Sequence, residues 1–377
     1  MAKLTRWPIP TELSNYLQFL TPERDGKIYY TKYIINKIGE LDLTRNIVTE
    51  WQIPANLLLQ GSGDPIGITY GPDGLVWFAL QRANKLVRFN PATGAFLGYG
   101  SGAPMGYPTP SPRFLMFDAG GGVWYTGSGK TGGLIGRLDP IAAKAGYWDL
   151  PPSLWSPEGL SVDSKGNAWF TPFNPNNGAM GASFARATAP AQIVQWTIAP
   201  GGQPPFYPGV VADGDAKNIW LTYDWGQGIG NKSMRVFRFH TPSGTCFGYP
   251  HARQAHPRKI ALDSAGNAWL TDWNARLSTI AAGANCGTVR VQRQAIEKAW
   301  KEEPVKMFRG MSEPKRKRVQ PTTIEPDSAK VECYLEYAIP AIGKDASIPH
   351  GIAINDNGER RVYFTDFGLN RICRLVA

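Results

Sequence analysis

Five ionisable residues of this 377-residue chain stand at points where repeated strands would bring them together. Glu158, Arg258 and His350 each follow a proline that enters an apolar stretch, and Asp272 and Asp366 each follow a threonine that ends one. An imidazole can take and return a proton near neutral pH. A guanidinium is permanently charged and clamps anions, and carboxylates can hold a hard cation or orient a neighbour. Together they could run general-base chemistry on an ester or lactone: His350 as base or acid, Arg258 as anion clamp, Glu158 beside them, and Asp272 or Asp366 as metal ligand. Plainer uses exist. A lone His at a strand entry commonly just hydrogen-bonds. Asp after Thr at a strand end commonly serves turn amides. Glu158, Arg113 and Arg258 could close an axial salt-bridge network without any ligand.

The elements that must position these residues are repeats. One phrase recurs seven times, most clearly in PHGIAINDNGERRVYFTDFGLNRICRL from Pro349 to Leu375. Its aromatic markers are Tyr29, Trp77, Trp124, Trp169, Trp220, Trp269 and Tyr363, spaced by 48, 47, 45, 51, 49 and 94 residues. Periods near 40–50 with short alternating strands and glycine turns indicate propeller blades, and an apolar/polar alternation such as Lys85-Leu86-Val87-Arg88-Phe89 fits a half-buried strand. The expected fold is all-β, a seven-bladed propeller of four-stranded blades. The seventh copy stops after its third strand, whereas Leu4–Pro10 reads as a fourth strand without a blade. The N-terminus is therefore expected to pair with the last blade and close the ring. Strand-entry residues (Gln18, Ile66, Arg113, Glu158, Pro208, Arg258, His350) and strand-exit residues (Lys32, Leu80, Gly127, Pro172, Tyr223, Asp272, Asp366) should then meet at one end of the axis, a plausible site for a small molecule or protein partner.

The long last step reflects an insertion, 287–330, between the third and fourth strands of blade six. Val291–Lys301 reads as a short helix with Ala295, Ile296, Ala299 and Trp300 on one side. The run Lys315-Arg316-Lys317-Arg318 and a proline-rich stretch follow. An exposed, mobile arm is expected, with Trp300 and the four basic residues available to a protein or acidic partner. Nucleic acid ranks lower, because the arm lacks aromatic residues interleaved for base stacking. Cys286 and Cys333 flank the arm and could join at its neck.

The phrase P-x-G-[IL]-[TS] … G-x-[VA]-W-F-T … N-K-I-G-R resembles the streptogramin B lyase (virginiamycin B lyase) family over essentially the whole chain outside the insertion. The resemblance implies a seven-bladed propeller and a metal-assisted β-elimination that opens a cyclic depsipeptide ester, with Mg²⁺ as cofactor. In the family pattern the last blade carries Glu-Pro-His-Gly. By that pattern His350 keeps the catalytic histidine and Asp366 a metal-side carboxylate, while Ile348 replaces the metal-binding Glu and Arg258 a second His. Ile offers no oxygen to a hard cation and Arg cannot shuttle protons. The expected function is therefore a ligand- or partner-binding propeller without streptogramin lyase activity, the alternative being a lyase or hydrolase at His350.

The formal charge is +10, with a pI near 9.4. Half the excess lies in the insertion, which has eleven Lys/Arg against six Asp/Glu. No stretch is apolar enough to span a bilayer, and no apolar h-region opens the chain. A cytoplasmic protein is the expectation, with a secreted mature form as the alternative.

Overall fold

The computed structural model describes residues 2–10, 17–102, 111–128, 132–172, 182–198, 209–223, 234–250, 256–331, 333–341, 349–367 and 369–377. Among them, strands form seven sheets, each a blade. The first four strands of each blade follow the repeat. Blade two, for example, runs Pro65–Tyr70, Val76–Leu80, Lys85–Asn90 and Ala95–Gly100, all antiparallel. The aromatic marker lies on the second strand, under 3% exposed in the five tryptophan blades. It stacks on an aromatic of the fourth strand, as in Trp77 on Tyr99, Trp169 on Trp196 and Trp220 on Tyr249. In blades four and six the indole N–H is satisfied by the preceding turn: Trp169 and Trp269 donate to Asp163 and Asp263 at 2.9 and 3.0 Å. These residues thus bury a large apolar surface without stranding their polar atom.

The ring is closed as the sequence implies. Lys3–Pro8 is the fourth strand of blade seven and pairs antiparallel with Arg371–Val376, from Lys3 opposite Val376 to Pro8 opposite Arg371. Leu4 and Trp7 are buried, and Trp7 donates to Asn46 Oδ1 at 2.8 Å, tying the closing strand to blade one. Asn370 accepts from Lys32 Nζ and donates to the Ile9 carbonyl across the same seam.

The insertion differs from expectation. Val291–Lys301 is not a helix, because its apolar residues are used one at a time against different blades rather than as one face. The segment leaves blade six and circles the whole propeller, adding a fifth strand to every blade. It passes blade five at Thr288–Val289, blade four at Val291–Ile296, blade three at Lys301–Pro304 and blade two at Met307–Met311. It continues over blade one at Pro314–Arg318 and blade seven at Thr322–Ile324, then returns to blade six at Ser328–Val331. The blades are therefore five-stranded, and the outer edges that a four-stranded ring would leave open are covered. Cys286 and Cys333 form a disulfide, Cα–Cα 6.5 Å, that clasps this belt at its start and finish.

Single apolar residues anchor the belt: Ile296 opposite Ile193 of blade four, Trp300 on blade three, Phe308 on blade two, Val319 near Trp7 and Val48, and Ile324 near Leu4. Trp300 packs on Trp148 with ring centres 4.3 Å apart. Gly146 makes room for it, since a Cβ there would overlap the indole. Trp300 is thus spent on the chain's own blade, not presented to a partner. Lys315, Arg316, Lys317 and Arg318 are exposed along the fifth strand of blade one. Among the described residues no helix is long and apolar enough to cross a membrane.

Candidate functional site

At one end of the axis, the first residues of the innermost strands converge on a cavity of about 210 Å³. Gln18, Ile66, Arg113, Glu158, Arg258 and His350 all line it. Pro208, the equivalent residue of blade five, and Ile348 lie outside the described residues. The strand-entry reading therefore places Glu158, Arg258 and His350 together.

The strand-exit reading is off by one residue. Asp272 and Asp366 end their strands buried and do not line the cavity. The next residues, Trp273 and Phe367, do, as do Tyr33 and Gln81 in blades one and two. Side chains alternate along a strand, so the last strand residue turns into the packing and its successor faces the axis. Asp272 Oδ1 accepts the backbone N–H groups of His256 and Asn274 at 3.1 and 2.8 Å. Burial raises its pKa and those amides oppose the rise. Asp366 lies opposite Arg371 in the ladder and within the field of Arg6. Asp272 thus ties down the loop that follows its strand.

His350 is 7% exposed and set in an aromatic frame. Phe19 meets it edge-on at 5.1 Å, and Phe367 stacks at 5.8 Å. The ring hydrogen-bonds the Gln18 backbone, while Nδ1 has no partner. Burial, with the nearby Lys259 and Arg258 charges, pushes the histidine pKa well below its usual value; the Gln18 bond works against this. The imidazole is therefore neutral at pH 7. Two cations stand beside it. The Arg258 guanidinium lies 3.2 Å above the Trp273 ring centre. The Lys259 ammonium sits 4.4 Å from the Phe114 ring centre and donates to the Glu158 carbonyl oxygen at 3.3 Å. Glu158 is ion-paired to Arg113.

Lys259, Phe19 and Phe114 line the site without having been read from the sequence. The signal was present. They occupy the position after the strand-entry residue, where four other blades carry Gly67, Gly159, Gly209 and Gly351.

These donors do not suit Mg²⁺, which wants several oxygen ligands. Among the described residues the cavity offers one carboxylate, Glu158, already held by Arg113, within a wall that also carries Arg258 and Lys259. Among the described residues no three His, Cys, Asp or Glu side chains are grouped to hold a metal. The field favours an anion.

The depressed pKa gives a direct prediction. The His350 Cε1–H resonance should titrate below pH 6.5, and Lys259→Met should move that midpoint upward by removing a like charge. A midpoint in the wild type at or above 6.5 would contradict the electrostatic reading. Below about pH 6.5 the unfolded chain binds a proton that folded His350 refuses, so this group costs stability as pH falls.

Among solved structures, a catalytically inactive virginiamycin B lyase from Staphylococcus aureus with quinupristin aligns over 100% of both chains at 19% identity, with a TM-score of 0.69. A streptogramin B lyase aligns over 100% of this chain and 98% of its own at 19% identity, TM-score 0.67. No curated protein sequence matches the chain. The sequence model of the Virginiamycin B lyase family matches residues 1–244, which leaves Arg258, His350 and the belt outside the matched region. With that match spanning well over half its length, the chain belongs to the virginiamycin B lyase family.

Proposed function

We propose that the axial cavity binds a small organic anion and that the chain works as a ligand-binding propeller, without metal-assisted opening of streptogramins. The observation that carries this reading is the convergence of Arg258, Lys259 and Arg113 on a space where, among the described residues, the one carboxylate is already paired. Arg258 is held flat by Trp273, so little side-chain freedom is lost when it grips a carboxylate. The aromatic frame of Phe19, Trp273 and Phe367 suits a flat or apolar body attached to the acid. Calorimetry with small carboxylates such as benzoate tests this. Arg258→Gln should weaken binding roughly ten- to hundredfold, the worth of a charged hydrogen bond. Equal affinity for benzoate and its neutral amide would overturn the reading.

A second reading is favoured by the unpartnered Nδ1 of a neutral His350. Nδ1 would take a proton next to a carbonyl, the electron pair would form a C=C bond, and the adjacent C–O bond would break to release a carboxylate for Arg258. His350→Ala should then abolish turnover of a responsive ester or lactone, and unchanged turnover would remove His350 from the step. The clasped belt also favours an oxidising compartment over the cytoplasmic one expected from the sequence.

A further inference from the structure

The axial channel is blocked halfway. Phe19 from blade one and Phe114 from blade three meet edge to face across the axis, ring centres 5.1 Å apart. Lys259 from blade six lies over both rings, its ammonium 5.3 Å from Phe19 and 4.4 Å from Phe114, and reaches the Glu158 carbonyl of blade four. Blades one, three and six are not adjacent in the ring, so Phe19, Phe114 and Lys259 meet across the opening.

The repeat explains why these blades supply the block. At Gly67, Gly209 and Gly351 an added Cβ would lie 2.5 to 2.8 Å from a carbonyl oxygen of the next blade (Arg113, Arg258 and Gln18), so glycine lets the innermost strands close up. Phe19, Phe114 and Lys259 break that rule, and theirs are the side chains that cross the axis.

Below the septum lies a separate compartment of about 430 Å³. Its wall takes apolar residues from successive blades, among them Ile68, Met116, Leu160, Val211, Leu262 and Ile354. Five of these six are only half-buried, leaving apolar surface open to the channel. A water-filled apolar wall is unfavourable. A blind, apolar cavity of this size, with a charged group at its closed end, has the form of a ligand site.

The geometry points to a second binding site here: the lower half of the axial channel takes the unbranched chain of an aliphatic carboxylate, tail against the apolar wall and head at Lys259. This goes beyond the anion reading of the upper cavity and does not depend on it.

The test is calorimetric titration of the full-length oxidised protein with straight-chain carboxylates from acetate to decanoate, below micelle formation, and with decanol. Affinity should rise about fourfold per methylene, as expected for burial of each CH₂ at ~0.8 kcal/mol. Ile354→Glu should weaken decanoate at least tenfold while leaving benzoate binding at the upper cavity unchanged. Met116→Glu, from another blade, serves if that variant does not fold. Lys259→Met should weaken decanoate at least tenfold and leave decanol unaffected. Affinity independent of chain length, or decanoate binding unchanged in both glutamate variants, would overturn the site. Loss of benzoate binding in Arg258→Gln with decanoate retained would concern the upper cavity alone.

Discussion

Replacing Cys333 by Ser should lower the stability of the oxidised protein by about 4 kcal/mol. That is the loop-closure entropy the chain-entropy relation assigns to a bridge between residues 47 positions apart. Guanidinium unfolding of wild type and variant would measure it as a lower midpoint, with a steeper slope because the unfolded chain without its cross-link is less compact. A difference under about 1 kcal/mol would mean that the belt is held by its strand pairing alone. Thiol labelling supplies a control. Cys246 and Cys373 are buried, so the native oxidised protein should resist labelling, and two thiols should become reactive after mild reduction. The cost arises in the unfolded ensemble, so the native fold of Cys333→Ser should remain intact at neutral pH.

The second large effect is expected at the ring seam. Trp7→Ala removes a buried indole, its 2.8 Å hydrogen bond to Asn46 and the ring under the Arg374 guanidinium. A loss of about 3–5 kcal/mol is expected, as for other buried Trp truncations. Removing Lys3–Pro8 altogether should be worse. It strips Arg371–Val376 of one neighbour and leaves Thr322–Ile324 of the belt with nothing to pair against. Two open edges in one place should show as association on size-exclusion chromatography as well as a lower unfolding midpoint. A monomeric truncation of unchanged midpoint would mean that the ring does not rely on its closing strand.

The blades and the seam were legible because they follow local rules: a fixed period, alternation and a strand-like segment lacking a blade. The meeting of His350, Arg258 and Glu158 at one cavity was legible by the same rule, since the residue after the entry proline occupies one place in every blade. Asp272 and Asp366 were misplaced because a one-residue step reverses side-chain direction, and the repeat does not reveal where the strand gives way to the loop. The belt was missed for another reason. Val291–Lys301 has helix-like spacing on its own, and only the open edges of distant blades make it extended. Such partners lie hundreds of residues away, as Pro314–Arg318 against Ile47–Trp51 shows. Trp300 was read as free for the same reason, although Gly146 in blade three recorded its place.

The belt also constrains the order of assembly. It is synthesised before Pro349–Val376, yet it must cross blade seven by pairing with Leu4–Arg6, a strand seated only when those last residues are in place. A nascent chain therefore has to hold 287–331 aside until Pro349–Val376 have emerged, and the cysteines can join in the native pairing only afterwards. Once joined, the loop surrounds a finished wheel. No spoke can then move outward without first tearing its rim, so departure from the native state should be slow even under conditions where it is downhill.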